Sequence, residues 1–279
     1  MATTTAALTQ AEKARSFRAL HQRTGAFIIP NPWDVGTARV LAHLGFEALA
    51  TTSMGYAFSV GQRDNTLDRQ QTLAYASAMA SATNLPVSAD LENGFGDAPD
   101  AVAETIKLAA AAGVVGGSIE DATGRSDHPI YDLEPAIERV RAAVAAARTL
   151  PFPFTLTARA ENYLHGRPDL ADTIKRLQAY QEAGADVLYA PALASKDDIA
   201  AVVKSVHLPV NVLMGLQGVQ MSLAELSALG VRRVSVGSSL SRTALGAFLR
   251  AAREMREHGT FTFASEAVSP KEMTSIFTT

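Results

Sequence analysis

Short apolar runs recur along the chain, and between them lie longer stretches with apolar residues at helical spacing. The runs at 26–30, 48–52, 86–90, 116–120, 154–159, 186–190, 209–213 and 233–237 predict strands. The periodic stretches near 34–44, 67–82, 98–112, 133–148, 170–183, 196–205, 222–229 and 239–257 predict helices. Eight strand–helix units of this size predict an α/β fold of the (β/α)8 TIM-barrel type, as one domain over residues 1–279. A doubly wound open sheet is the competing solution. Eight even units without a nucleotide-type glycine fingerprint favour closure. An extra helix near 10–22 precedes the first strand and is placed across the barrel bottom. The tail beyond His258 carries scattered apolar residues and is expected to pack on a neighbouring subunit.

Composition narrows this only a little. The chain is 47% hydrophobic and 19% charged, ample for one large core. A net charge of −3 and a pI near 6.1 give no reason to expect nucleic acid or an anionic membrane as partner. There is no cysteine, which excludes disulfides, zinc–thiolate sites and a thiol nucleophile. Residues 1–8 lack the basic start and apolar stretch of a signal peptide, and no apolar segment is long enough to span a bilayer, so a cytoplasmic location is expected.

The chemistry gathers at strand ends, where barrels of this type place function. The run 85–89 closes on Asp90-Leu91-Glu92-Asn93-Gly94-Phe95-Gly96. Alternation along a strand sends Asp90 and Glu92 the same way, and the glycines let the chain turn beside them. The next strand closes on Glu120-Asp121. Neighbouring strands lie about 4.8 Å apart, so Asp90, Glu92 and Glu120 can share one ion. All-oxygen ligands suit Mg²⁺ or Mn²⁺, and Mg²⁺ usually keeps several waters. The plainer reading makes these acids helix caps and loop acceptors, a role expected of Asp97 and Asp100.

Arg159 is the one strong cation among the strand-end residues in this reading, and its planar fork suits a substrate carboxylate or phosphonate. The plainer alternative pairs it with Glu161 or another acid. Thr52, Ser53, Met54, Glu161 and Asn211 lie at the same mouth. His128 and Tyr131, in the loop after Asp121, are candidate acid or base groups. Gly237-Ser238-Ser239 opens the last helix of the barrel and is read as its N-cap rather than as a phosphate site.

On these residues the chain resembles the isocitrate lyase / phosphoenolpyruvate mutase superfamily, especially its short methylisocitrate-lyase-like branch. The resemblance spans about 17–237 and is most specific at residues 89–96, at Ser118-Ile119-Glu120-Asp121, at Thr157-Ala158-Arg159-Ala160-Glu161 and at Gly61-Gln62-Arg63-Asp64. It implies a barrel with a Mg²⁺ shell of Asp64, Asp90, Glu92 and Glu120, often acting through waters. It implies that Arg159 grips a substrate carboxylate and that Thr52, Ser53 and Met54 bind substrate, partly through backbone N–H groups. It implies α-keto acid or dicarboxylate substrates and a homotetramer with an exchanged C-terminal helix.

The departures are also specific. The lyases of this superfamily carry a Lys-Lys/Arg-Cys-Gly-His loop after the Glu-Asp pair; here residues 122–132 are shorter and contain no cysteine. The longer lid of the mutase and phosphonopyruvate hydrolase branches is missing too. Ala50 stands where the family usually has an aromatic residue, a gap that Trp33 or Tyr56 could fill. The expected activity is a Mg²⁺-dependent lyase or decarboxylase of an oxaloacetate-like α-keto acid, with Asp64, Arg159 and His128 as catalytic candidates. P–C bond chemistry, methylisocitrate-type cleavage and a keto-acid-binding barrel with little turnover are the alternatives.

Overall fold

The computed structural model describes residues 7–278, so Met1–Ala6, which carry most of the leader reading, lie outside the described residues. The strands are β1 (Phe27–Ile29), β2 (Leu49–Ala50), β3 (Val87–Asp90), β4 (Gly116–Glu120), β5 (Thr155–Arg159), β6 (Val187–Tyr189), β7 (Val210–Leu213) and β8 (Arg233–Ser235). All are parallel and lie in the order β1-β8-β7-β6-β5-β4-β3-β2. Parallel neighbours need a crossover, and helices supply it. The crossover helices are α2 (Val35–His43), α4 (Arg69–Ala82), α5 (Pro99–Ala111), α6 (Leu133–Arg148), α7 (Leu170–Glu182), α8 (Lys196–Ser205) and α9 (Leu223–Ala228). The long α10 (Ser239–His258) follows β8. The eight parallel strands make a nearly closed (β/α)8 barrel, as the hydrophobic pattern predicts.

Closure has a seam. β1 pairs through its ladder only with β8, and β2 only with β3. One backbone bond, from the Ala50 N–H to Pro30 O at 3.1 Å, crosses the gap. The Asn31 side chain does the rest: its Nδ2 donates to Thr51 O at 2.9 Å, and its Oδ1 accepts from the N–H groups of Val236 and Gly237.

The strands' outward side chains meet the helices in two cores. One holds Leu49, Val87, Ala89, Met79 and Ile106; the other holds Leu177, Leu188, Val202, Val212 and Val234. A third cluster closes the bottom. The helix α1 (Gln10–Gln22), started by a reciprocal Thr9–Glu12 cap, packs Phe17 against Phe27, Ile29, Ala48 and Val115. Gly116 is required here, because a Cβ would come within 2.8 Å of Thr155 O and 2.9 Å of the Phe17 ring.

Three differences from the sequence reading have physical causes. Residues 53–59, where no element was predicted, form a short helix α3 (Ser53–Ser59), with the Thr52 side chain accepting from the Gly55 N–H. The tail forms α11 (Pro270–Thr278), which lies against α2 of its own chain. It is α10 that projects, with only Ser241 buried along its length. Among the described residues no helix is long and apolar enough to cross a membrane.

His21, on α1, reaches the barrel floor. Its Nδ1 lies 2.9 Å from Phe17 O, and its Nε2 lies 3.4 Å from Nη1 of Arg233. A donor on Nε2 would face the guanidinium, so the ring is neutral with its hydrogen on Nδ1. Burial, with Arg233 adding to it, drives its pKa down to about 3. The unfolded chain therefore binds one more proton than the native protein between about pH 6.5 and 3. Stability should fall as pH drops through this window, by up to about 1.4 kcal/mol per unit from this residue. In the folded protein the His21 ring resonances should not titrate between pH 8 and 4.5. A midpoint near 6.5 for this ring would refute the assignment.

Candidate active site

A cavity of about 210 Å³ opens at the C-terminal ends of the strands. Alternation along β3 and β5 points Ser88 and Asp90, and Thr157 and Arg159, into the barrel. Parallel register sets Glu120 beside Arg159 and Arg159 beside Tyr189. The adjoining loops and the first turn of α3 add Asn31, Thr52, Ser53, Met54 and Asp64 to the wall.

Arg159 is the hub. Its Nη1 lies 2.9 Å from Asp90 Oδ1 and 3.2 Å from Glu120 Oε2, and its Nε lies 2.8 Å from Glu161 Oε1. Its guanidinium carbon sits 5.1 Å from the centre of the Tyr189 ring. Burial works against its charge, but Glu161, Glu120 and Asp90 outweigh it and hold the guanidinium protonated. One cation cannot balance three acids. Burial pushes the Glu120 and Glu161 carboxyls up, and Arg159 only partly opposes this.

Two further acids are short of partners. Asp64 Oδ1 and Glu92 Oε1 are buried with no hydrogen-bond partner. Burial pushes the Glu92 carboxyl up to about 8, with Asp90 and Asp64 adding to it. Asp64 is raised by the same causes, burial first and then Asp90. Orphaned carboxylate oxygens beside an excess of negative charge fit a hard divalent cation. Among the described residues no three Asp, Glu or His side chains form a ready cluster of direct ligands.

The backbone carrying Glu92 is strained, with φ of 48° at Glu92 and 60° at Phe95. Arg139, from α6, fixes it. This guanidinium is 2% exposed and donates to the carbonyls of Asn93, Gly96 and Asp97. It also stacks on Tyr131 at 4.2 Å. Behind Arg159, buried Asp121 accepts from the Glu161 N–H at 2.8 Å, from Tyr180 at 2.6 Å and from Arg176 at 3.1 Å. Asp121 thus fixes the chain that carries Glu161, which in turn fixes Arg159.

The predicted residues divide clearly. Thr52, Ser53, Met54, Asp64, Asp90, Arg159 and Asn211 all line the cavity. Ser53 holds Asp90 Oδ2 through its N–H and its hydroxyl, at 3.4 and 3.0 Å. Glu92 and Glu120 stand just behind this wall, and Glu161 is a 2.8 Å partner of Arg159 Nε. Asn211 is engaged on both sides, accepting from Arg233 Nε and donating to Ser235 Oγ, each at 2.9 Å. His128 is not brought in: it is exposed and lies 4.0 Å from Asp132. Tyr131 donates to Asp97 instead of facing the cavity. Trp33 and Tyr56 do not fill the space at Ala50, which remains cavity wall; Tyr56 stacks on Tyr75 at 4.2 Å.

Several expectations are corrected. Asp97 does not cap α5, whose N-cap is Ala98 without a side-chain bond; Arg125 and Tyr131 claim its carboxylate. Asp100 lies within the first turn of α5. Ser238 holds the N-cap position of α10, but its hydroxyl points to Met54 Sδ at 3.0 Å rather than capping. Arg159 is not the only cation at the site, since Arg233 and Arg242 also line the cavity. Alternation along β8 was the signal for Arg233; nothing local marked Arg242 or Arg139.

Comparison with known proteins shows the family and the fold. The family model described as phosphoenolpyruvate phosphomutase matches residues 17–256. A crystal structure from Burkholderia cenocepacia, provisionally described as a lyase/mutase, is 67% identical and superposes with a TM-score of 0.95 over 97% of both chains. An uncharacterized protein of Mycobacterium tuberculosis is 34% identical over 87% of this chain and 89% of its own. A 2-methylisocitrate lyase of Halalkalibacterium halodurans is 29% identical over 90% and 84% of the two chains, and an oxaloacetate decarboxylase of Pseudomonas paraeruginosa is 28% identical over 86% and 84%. A phosphonopyruvate hydrolase solved with oxalate and Mg²⁺ is 26% identical with a TM-score of 0.85, over 97% of this chain and 95% of its own.

The hub makes a stability prediction. Arg159→Met leaves Asp90, Glu120 and Glu161 without their shared cation. Removing one partner from a buried ion pair costs about 3–5 kcal/mol, to be read from urea denaturation near pH 7. A loss below about 1 kcal/mol would mean that the acids do not depend on Arg159.

Proposed function

Because the chain belongs to the phosphoenolpyruvate phosphomutase family, and so to the carbon–carbon lyases and mutases of the isocitrate lyase / phosphoenolpyruvate mutase superfamily, we propose that it is a Mg²⁺-dependent decarboxylase or lyase of a small α-keto acid. Oxaloacetate is the model substrate. The observation that carries this reading is the set of charged groups at the cavity mouth. An orphaned acid oxygen of Asp64 in the wall, another of Glu92 behind it, and a fully charged Arg159 share the same mouth. Relatives that decarboxylate oxaloacetate, and a structural neighbour holding oxalate and Mg²⁺, support it.

Asp64 and Glu92 would hold the ion, with Asp90 and Glu120 beside them, directly or through water. When bound, Mg²⁺ supplies a Lewis acid that stabilises negative charge developing on a keto oxygen. Arg159 keeps its Nε on Glu161 and turns its other face from a protein carboxylate to the substrate's, exchanging one charge-assisted bond for another. The first turn of α3, with Ser53 and Met54 at the cavity wall, holds the substrate's other end. When carbon dioxide leaves, the electron pair of the broken bond stays with the three-carbon fragment. A proton must then be delivered, and the chain has no cysteine to deliver it. His128 faces solvent, so water at the open mouth is the donor.

We also propose a homo-oligomer built on α10. Its exposed face carries Leu245, Phe248 and Leu249, with Phe248 67% exposed. A contiguous apolar face of this kind marks an interface.

Pyruvate should form from oxaloacetate in a Mg²⁺-dependent reaction faster than the metal-only background, with little cleavage of isocitrate or methylisocitrate. Glu92→Gln should weaken Mg²⁺ binding at least tenfold by calorimetry while the circular dichroism spectrum is kept, and His128→Ala should slow turnover less than threefold. Efficient methylisocitrate cleavage, or full activity in EDTA, would overturn the assignment. Sedimentation of Phe248→Asp should show a smaller species than wild type; an unchanged profile would remove α10 from the interface.

A further inference from the structure

Two arginines, Arg232 and Arg233, lead into β8, and the second, its first residue, turns into the barrel. It is 5% exposed. Three of its N–H groups are engaged: Nε with Asn211 Oδ1 at 2.9 Å, Nη2 with Thr157 Oγ1 at 2.9 Å, and Nη1 with His21 Nε2 at 3.4 Å. A guanidinium has five, so two remain. Every one of these partners is neutral. Among the described residues no carboxylate pairs with Arg233, whereas Arg159 has three. Burial lowers the Arg233 pKa to about 10, so it is still charged at neutral pH. A buried charge without a counter-charge is costly, and this one lines the cavity.

The space above it is kept open by small side chains. The cavity lining includes the small side chains of Ala50, Ser88, Ser118 and Ser235, alongside larger ones such as Ile29 and Tyr189. The guanidinium bonds Thr157, two residues below Arg159 on β5, which sets it one side-chain layer under the mouth. Two residues of strand span roughly 6.6 Å, and barrel tilt shortens this to about 5 Å along the axis. That is the reach of a two-carbon arm. Acids surround the upper layer and a bare cation the lower one, so the cavity is polarised along its depth.

We propose that the barrel interior below the mouth is a carboxylate-binding compartment floored by Arg233, which takes a carboxylate-bearing arm of the substrate. The proposal rests on the keto-acid reading for the head of that substrate but not for the compartment itself. It assigns the preferred substrate to α-keto acids that carry, beside the bond to be cleaved, a further arm ending in a carboxylate about two carbons from the keto group.

Calorimetry with Mg²⁺ present should compare pyruvate with 2-oxoglutarate, which share the keto-acid head and differ by the arm. In the wild type 2-oxoglutarate should bind at least tenfold tighter. In Arg233→Gln the ratio should fall to near one, and Arg233→Lys should restore part of it. Ala50→Leu fills the compartment from β2 and should collapse the ratio with Arg233 in place, which keeps the test decisive if Arg233→Gln does not fold. Acetate separates the two sources of the carboxylate: Arg233-dependent acetate binding that 2-oxoglutarate blocks and pyruvate does not shows that a free anion uses the same floor. If neither keto acid binds while acetate still binds only with Arg233 present, the compartment stands and the keto-acid reading falls. Equal ratios in wild type and both wall variants, with acetate indifferent to Arg233, would overturn the proposal.

Discussion

One guanidinium shared by three buried carboxylates governs the mouth of this barrel. Arg159 touches Asp90, Glu120 and Glu161, and it cannot neutralise them all. The surplus negative charge is what makes the neighbourhood receptive to a cation, and it adds to the burial that raises the carboxyls nearby. Parallel register creates the arrangement, since it sets Glu120 and Arg159 side by side whatever the loops do. The loops then decide how the surplus is used. Asp64 and Glu92 reach the cluster from outside the ladder and bring oxygens with no partner in the protein.

Much of this was legible in the chain. The eight apolar runs announce buried strands, and acids closing two adjacent runs announce a site, because strand ends and alternation are local properties. What stayed hidden depends on contacts distant in sequence. Asp97 looks like a helix cap until Arg125 and Tyr131 arrive to claim it. Arg159 looks alone until Arg233 and Arg242 are folded in beside it. Residues 53–59 carry no predicted element because the cap at Thr52 lies within a strand-end pattern. His128 stands in a suggestive loop, and only its exposure separates it from the cavity.

The two buried arginines below and behind the site solve opposite problems. Arg139 satisfies itself with main-chain carbonyls and in doing so holds Glu92 in a left-handed backbone that a non-glycine residue rarely adopts. Arg233 is held by neutral groups and keeps donors to spare. The first spends a cation on geometry and the second stores one as unanswered charge. Both lie on regular elements, α6 and β8, so neither charge can drift as a loop residue's could.

The seam between β1 and β2 has a consequence for motion. Elsewhere around the barrel a ladder joins each pair of strands, but here one backbone bond and the Asn31 amide span the gap. Sub-global opening starts where the fewest bonds must break, so amide exchange enters the barrel at this seam before any other. Thr52, Ser53 and Met54 follow directly on its β2 side, and Gly237 and Ser238 are tied to it through Asn31. These walls of the cavity are therefore also the hoop's clasp, and a ligand bridging them would tighten the whole barrel.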